Sequence, residues 1–179
     1  MHAQGFVECW NSVRNDDPQS FLDLGSGGGV PGFILATTWS CRAVLLDSMI
    51  RRTSLLEESS RWEGAPPTLE VVNGRAEDVG RLFEYRESFD LVVSRSFGPP
   101  AVTAECAAPF IAVGGYLVVS EPPDDQDDER WSSTKLNQLS LENLGRVRFG
   151  SAFQILRKFS PIDAKFPRKV GVPAKQPLF

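Results

Sequence analysis

Five short apolar runs alternating with helical patterns, followed by two further runs joined by a tight turn, predict a doubly wound, Rossmann-like α/β domain. The runs are FLDLG, AVLLD, LEVVN, FDLVVSR and GYLVVS; the patterns that follow them are PGFILATTW, MIRRTSLLEESSRW, AEDVGRLF, PPAVTAECAAPF and ERWSSTKLNQLSLENL. Strand-helix units in series build a parallel sheet covered on both faces, because each right-handed crossover lays its helix on one face. The closing segment breaks this rhythm. RVRF and FQILRKF flank Gly150-Ser151 and read as a hairpin, so one of these strands must run antiparallel to its neighbour. The length of 179 residues, with 41% hydrophobic content, suits one domain with a sizeable core and is short for two. Residues 1–20 are expected to form a short helical segment, 21–160 the α/β domain, and 161–179 a basic, proline-containing tail packed on it.

Composition removes several function classes. The chain has no run of 18 apolar residues, and its opening MHAQGFVECWNSVRNDD has neither a basic n-region nor an apolar h-region. Neither a membrane span nor a secretory signal is supported, and a cytoplasmic location is expected. Cys9, Cys41 and Cys106 are odd in number and far apart, which argues against a disulfide framework and reads as buried small hydrophobes. His2 is the one histidine and sits at a terminus expected to be mobile, so histidine-dependent catalysis and histidine-rich metal sites lack residues. No metal is expected. The net charge of −4 conceals a polarity: residues 1–156 hold 13 Lys and Arg against 22 Asp and Glu, and residues 157–179 hold six against one. The acidic run PPDDQDDER is read as a solvated connection.

The segment DLGSGGGVPG, residues 23–32, follows the first strand and opens the first helix of the α/β pattern. Such a turn lets a ligand approach the backbone closely. A nucleoside triphosphate loop needs Gly-Lys-Ser/Thr, but the first lysine of the chain is Lys135. Gly27, Gly29 and Gly32 do satisfy the dinucleotide spacing, with Asp47 twenty residues beyond Gly27. Against a dinucleotide, Pro31 removes an N–H from the first helical turn, where a pyrophosphate needs donors, although proline suits the N1 position sterically. S-adenosylmethionine has no phosphate. Asp23 before the glycines fits its cationic amino group, and Asp47 at the end of the second strand fits its ribose hydroxyls. The competing reading is that both acids only cap turns. A sheet closing on an antiparallel hairpin strand also favours methyl transfer over hydride transfer.

On these residues the chain resembles the glucose-inhibited division protein B family, bacterial methyltransferases acting on a guanine N7 of 16S ribosomal RNA. The resemblance runs from about Phe21 to Phe179. It rests on Pro31-Gly32, LLDSMIRRTSLLEE, GRAE, Ser94-Arg95 and the tail FPRKVGVPAKQPL. It implies the class I S-adenosylmethionine-dependent methyltransferase fold, with a mostly parallel seven-stranded sheet ending in an antiparallel hairpin strand. It implies cofactor contacts at Asp23, Gly25, Ser26, Gly27, Gly29, Asp47, Ser48, Ala76 and Glu77, and a catalytic Arg95 where cofactor meets substrate. The partner implied is 16S ribosomal RNA or the small ribosomal subunit. Of the basic tail residues, Arg168, Lys169 and Lys175 are the candidates for RNA phosphates. Phe97 is either a stacking surface for an extruded base or core, and Cys106 is read as packing. Asp47→Ala is expected to abolish cofactor binding with the fold intact.

The chain departs from the family pattern in two places. Only about twenty residues precede Phe21, where the family carries a longer helical segment. Ser120-Glu121 stands where the family has a lysine and a glycine, so an acid is expected in place of a substrate-facing cation. These departures keep a small-molecule or protein methyl acceptor open as an alternative, and the glycine spacing keeps a non-catalytic dinucleotide module open as a second.

Overall fold

The structure is a computed structural model that describes residues 2–122 and 128–179. The first helix, α1 (His2–Asn11), precedes the sheet. Four strand-helix units follow: β1 (Ser20–Leu24) and α2 (Gly32–Thr38), β2 (Arg42–Asp47) and α3 (Ile50–Ser59), β3 (Leu69–Asn73) and α4 (Ala76–Val79), β4 (Phe89–Ser94) and α5 (Pro100–Ala107). After β5 (Ile111–Glu121) come a 3-10 turn over Asp128–Trp131, α6 (Ser133–Leu136) and a second 3-10 turn over Asn137–Leu139. The chain ends with β6 (Leu141–Phe149), β7 (Ser151–Lys158) and α7 (Val172–Lys175). The sheet has seven strands in the order β3-β2-β1-β4-β5-β7-β6. β1 to β5 pair in parallel, and β7 runs antiparallel to both β5 and β6. This is the doubly wound sheet with its antiparallel hairpin end.

The period of two along each strand divides the core between the two faces of the sheet. Leu22, Leu24, Val44, Val92 and Leu117 pack on one face with Phe110, Ile162 and Phe166. Phe21, Ala43, Leu91, Val93 and Val118 pack on the other with Phe6, Trp10, Leu35 and Trp39. Asp23 lies between Leu22 and Leu24, so it points toward α2 and the second cluster. The crossing of α1 over β7 is close: a Cβ on Gly5 would stand 2.4 Å from the Phe153 ring.

Three expectations are revised. The segment ERWSSTKLNQLSLENL is not one helix. Ser140 adopts φ 57°, which ends the second 3-10 turn, and Leu141 starts β6 by pairing with Lys158. The leucines of this segment fit a helical period, but β7 offers a ladder interrupted only at Leu144 and wins. His2 has partners on the sheet: its Nε2 lies 2.8 Å from Ser120 Oγ, its Nδ1 lies 3.0 Å from Ser151 Oγ, and its ring packs against Phe6 and Phe153. Pro31 sits at the N-cap of α2 rather than inside its first turn. The centre of the acidic run, residues 123–127, lies outside the described residues.

The tail folds back along the first face. Arg86 Nη1 donates to the carbonyls of Gly80 and Phe166, Arg81 Nη2 donates to those of Lys165 and Pro167, and the Ile162 N–H donates to Glu87 Oε1 at 2.9 Å. The strongest tie is Arg168 to Glu105, which is fully buried in α5. Its backbone N–H and Nε donate to Oε1 at 2.9 and 2.8 Å, and Nη2 donates to Oε2 at 2.6 Å. A bidentate guanidinium–carboxylate pair of this kind fixes orientation as well as position.

Candidate cofactor and substrate site

The C-terminal ends of β1, β2, β3 and β4 open on a cavity of about 350 Å³. In open α/β sheets ligands bind at this edge, where strand order reverses, here between β1 and β4. Each strand end supplies part of the lining: Gly25 after β1, Asp47 and Ser48 after β2, Ala76 and Glu77 after β3, and Phe97 after β4. Cys106 of α5 and Ala174 of α7 complete it on the tail side. The volume falls in the range of about 300–1,000 Å³ usual for small-molecule sites.

The glycine turn is shaped by close approaches. Gly25 has φ 75°, and a Cβ there would stand 2.7 Å from the Phe97 ring. The turn is also closed on itself. The N–H groups of Gly25 and Ser26 donate to the Leu46 carbonyl at 2.9 and 3.0 Å, Gly27 N–H to Asp47 Oδ2 at 2.9 Å, and Gly29 N–H to the Ser26 carbonyl at 2.8 Å. Gly32 N–H donates to Asp23 Oδ2 at 2.9 Å. Pro31 lacks an N–H, and Gly27, Gly29 and Gly32 spend theirs within the turn, so fewer donors remain at the start of α2 for a pyrophosphate.

Asp23 is buried beneath this turn, and its Oδ1 has no hydrogen-bond partner. Burial pushes its pKa up to about 7, with the Gly32 N–H and the Arg95 charge pulling the other way. A buried acceptor left open is costly, and a cation brought to it recovers that cost. Asp47 accepts from Gly27 and from Met49 N–H, the latter at 2.8 Å, and Arg52 Nη1 approaches it at 3.4 Å. Capping and lining therefore coexist in one side chain: Asp47 holds two turns while its carboxylate edges the cavity. Ser26 is buried, donating its hydroxyl to the Asp23 carbonyl at 2.8 Å, so it supports the turn without facing the cavity.

Other candidate residues are placed as follows. Glu77 lines the cavity, but its Oε1 accepts from Gly171 N–H at 3.0 Å and Arg75 Nη2 at 3.2 Å. Burial raises its pKa, and these donors bring it back below the ordinary carboxylate value. Arg95 is exposed beside the cavity rather than in its lining, next to Ser96, whose φ of 58° marks a tight turn after β4. Lys169 and Lys175 are exposed, while Arg168 is held by Glu105. Phe97 is half-buried: it packs on the core, as one of its two readings expects, and it also lines the cavity. Cys106 is buried with its thiol pKa raised by desolvation, which keeps it protonated although it reaches the lining. Cys9 and Cys41 are also buried, with pKa values pushed up to about 12 and about 11.

The expected acid at the end of β5 is paired within the protein. Glu121 accepts from Arg130 Nη1 at 2.7 Å and from the Trp131 indole at 3.2 Å, and its side chain is 6% exposed. Its charge is therefore met inside the protein. Sequence reasoning missed Arg52, Ala174 and Glu105. A lone acid inside the apolar stretch AVTAECAAPF was the available signal for Glu105, because such a residue must find a buried partner.

Comparison with known proteins bears on the same architecture. The family model described as rRNA small subunit methyltransferase G matches residues 1–150. Ribosomal RNA small subunit methyltransferase G of Clostridium kluyveri is 33% identical over 186 residues, covering 99% of this chain and 77% of the relative. Its namesake from Fervidobacterium nodosum is 30% identical over 173 residues, covering 93% and 80%. Among solved structures, a 16S rRNA (adenine(1408)-N(1))-methyltransferase variant from Catenulisporales acidiphilia with cosubstrate SAM superposes with a TM-score of 0.68 at 14% identity, covering 87% of this chain and 92% of that one. The [4+2]-cyclase SpnF superposes with a TM-score of 0.67 at 13% identity, covering 90% and 81%. One fold thus carries different chemistries, and the sequence match is what discriminates. On that match the chain belongs to the GidB family of rRNA small subunit methyltransferases G.

Proposed function

We propose that the cavity binds S-adenosylmethionine and that the protein methylates guanine N7 of 16S ribosomal RNA, acting in the cytoplasm on the small subunit or its RNA. The observation that carries the cofactor reading is the orphaned, buried Asp23 Oδ1 beneath a turn in which Gly25, Ser26, Gly27, Gly29 and Gly32 already donate their N–H groups within the protein. That combination suits a cationic, phosphate-free nucleoside and disfavours a dinucleotide. Of the groups assigned, Asp47 for the ribose hydroxyls, Gly25 and Ser48 for close backbone approach, and Ala76 beside the base line the cavity, while Asp23, assigned to the amino group, lies buried behind that lining.

When bound, the cofactor supplies a methyl group on a sulfonium centre. Guanine N7 presents a lone pair with no proton to lose, so the protein needs no general base. Its work is to hold two reactants in line, which in well-oriented systems contributes about 7–11 kcal/mol at best. Arg95 stands beside the glycine turn at the end of β4 and is assigned to orient the acceptor or the cofactor carboxylate. Phe97 offers a planar surface at the cavity for an unstacked base. Lys169 and Lys175 are assigned to RNA phosphates, while Arg168 serves them through the tail.

Incubation with tritiated S-adenosylmethionine and, separately, naked 16S RNA, intact small subunits and a metabolite extract tests this reading. It predicts label in the RNA or subunits, recovered as 7-methylguanosine after digestion. Label confined to the metabolite fraction would replace it with a small-molecule methyltransferase.

A further inference from the structure

The tail is more than a strap over the domain, because its last turn reaches the cavity. Ala174 of α7 contributes to the lining, across from residues that follow β1 and β2. Two anchors set its position. Arg168 is locked to Glu105 by three hydrogen bonds and also donates Nη2 to the Gln176 carbonyl at 2.8 Å, closing a loop around α7. Gly171, with φ 79°, presents its N–H to Glu77 Oε1. Glu105 and Cys106 are neighbours in α5, so the residue that anchors the tail is adjacent to one that lines the cavity.

We propose that the segment Arg168–Gln176 is a functional part of the cofactor site: Ala174 sets the size of the cavity on this side, and Arg168 and Glu77 are positioning residues that hold it there. This rests on the reading of the cavity as the S-adenosylmethionine site. Glu77 then acts chiefly by fixing Gly171, and the small side chain at 174 is a determinant of which nucleoside fits. The same segment carries Lys169 and Lys175 on its exposed side, so an RNA that grips those lysines also steadies the cavity lining.

Calorimetric titration of S-adenosylhomocysteine into the full-length wild type, Ala174→Trp, Arg168→Met and Arg168→Lys, with melting temperatures in parallel, tests the assignment. Ala174 is exposed, so Ala174→Trp should melt like the wild type yet bind at least tenfold more weakly, with the KM for S-adenosylmethionine raised and kcat much less affected. Arg168→Met should weaken binding at temperatures well below its own melting point, and Arg168→Lys should recover part of that loss. Wild-type affinity in both Ala174→Trp and Arg168→Met would overturn the assignment. Absence of binding by the wild type would instead overturn the cofactor reading beneath it, and the assignment with it.

Discussion

Burial keeps the Asp23 carboxyl protonated to about pH 7, whereas an unfolded chain releases that proton near 3.8. Between those values the folded form binds more protons than the unfolded form, so stability falls as pH rises through the window and levels off above about 7. A urea midpoint series from pH 4 to 8 should show this decline, and Asp23→Asn should flatten it. Ligand binding has the opposite sign, because an ammonium group at Oδ1 favours the ionised acid. Affinity for S-adenosylhomocysteine should rise between pH 6 and 8 in the wild type and stay level in Asp23→Asn. Asp47 carries a different double duty. Asp47→Ala should remove most cofactor affinity, but it also strips acceptors from the part-buried Gly27 and Met49 N–H groups, a loss of about 0.5–1.5 kcal/mol per hydrogen bond. The sequence expectation of an untouched fold therefore gives way to a lowered urea midpoint alongside lost binding.

At the level of elements, the glycine turn was legible because its spacing is a local signal, and Gly25, Gly29 and Gly32 each have a close neighbour that excludes a Cβ. Gly32 is the tightest: a Cβ there would stand 2.4 Å from Asp23 Oδ2 and 2.3 Å from a Leu45 methyl. Overpacking of this kind costs about 1–3 kcal/mol, so Gly32→Ala should lower the denaturation midpoint and weaken cofactor binding together. The hairpin end was legible from Gly150-Ser151 for the same reason. The segment before β6 was not, because whether Leu141 continues a helix or starts a strand depends on β7, whose contribution no local window contains. Tertiary partners also account for the hidden ties of the tail. Its basic residues looked alike in sequence, and only the fold divides them into Arg168, spent on Glu105, and Lys169 and Lys175, left exposed. Lys158 is a further case: it is fully buried, with Nζ donating to the Ala108 carbonyl at 2.8 Å and paired with Glu87 at 3.1 Å.

For the whole molecule, an acidic domain carrying a basic tail implies that RNA is met mainly at one edge. Lysine contacts to phosphate release counterions, each steepening the fall of affinity with salt by about 0.7–0.9 in a double-logarithmic plot. Changing Lys169 and Lys175 together to glutamate should therefore weaken 16S RNA binding and reduce that slope by more than about 1. An unchanged slope would confine the tail to its work at the cavity. The likeness in sequence extends along the chain and agrees with the sheet order. The residues that make the site a pocket rather than a turn, including Arg52, Ala174 and the Glu105 anchor, come from segments that meet only in three dimensions.

Calorimetry decides whether the glycine turn with Asp23 and Asp47 holds a cationic, phosphate-free nucleoside. S-adenosylhomocysteine and NAD would be titrated separately into the wild-type protein at pH 8. Saturable one-to-one binding of S-adenosylhomocysteine and no heat with NAD are expected. Binding of NAD, or silence with both ligands, would contradict that assignment.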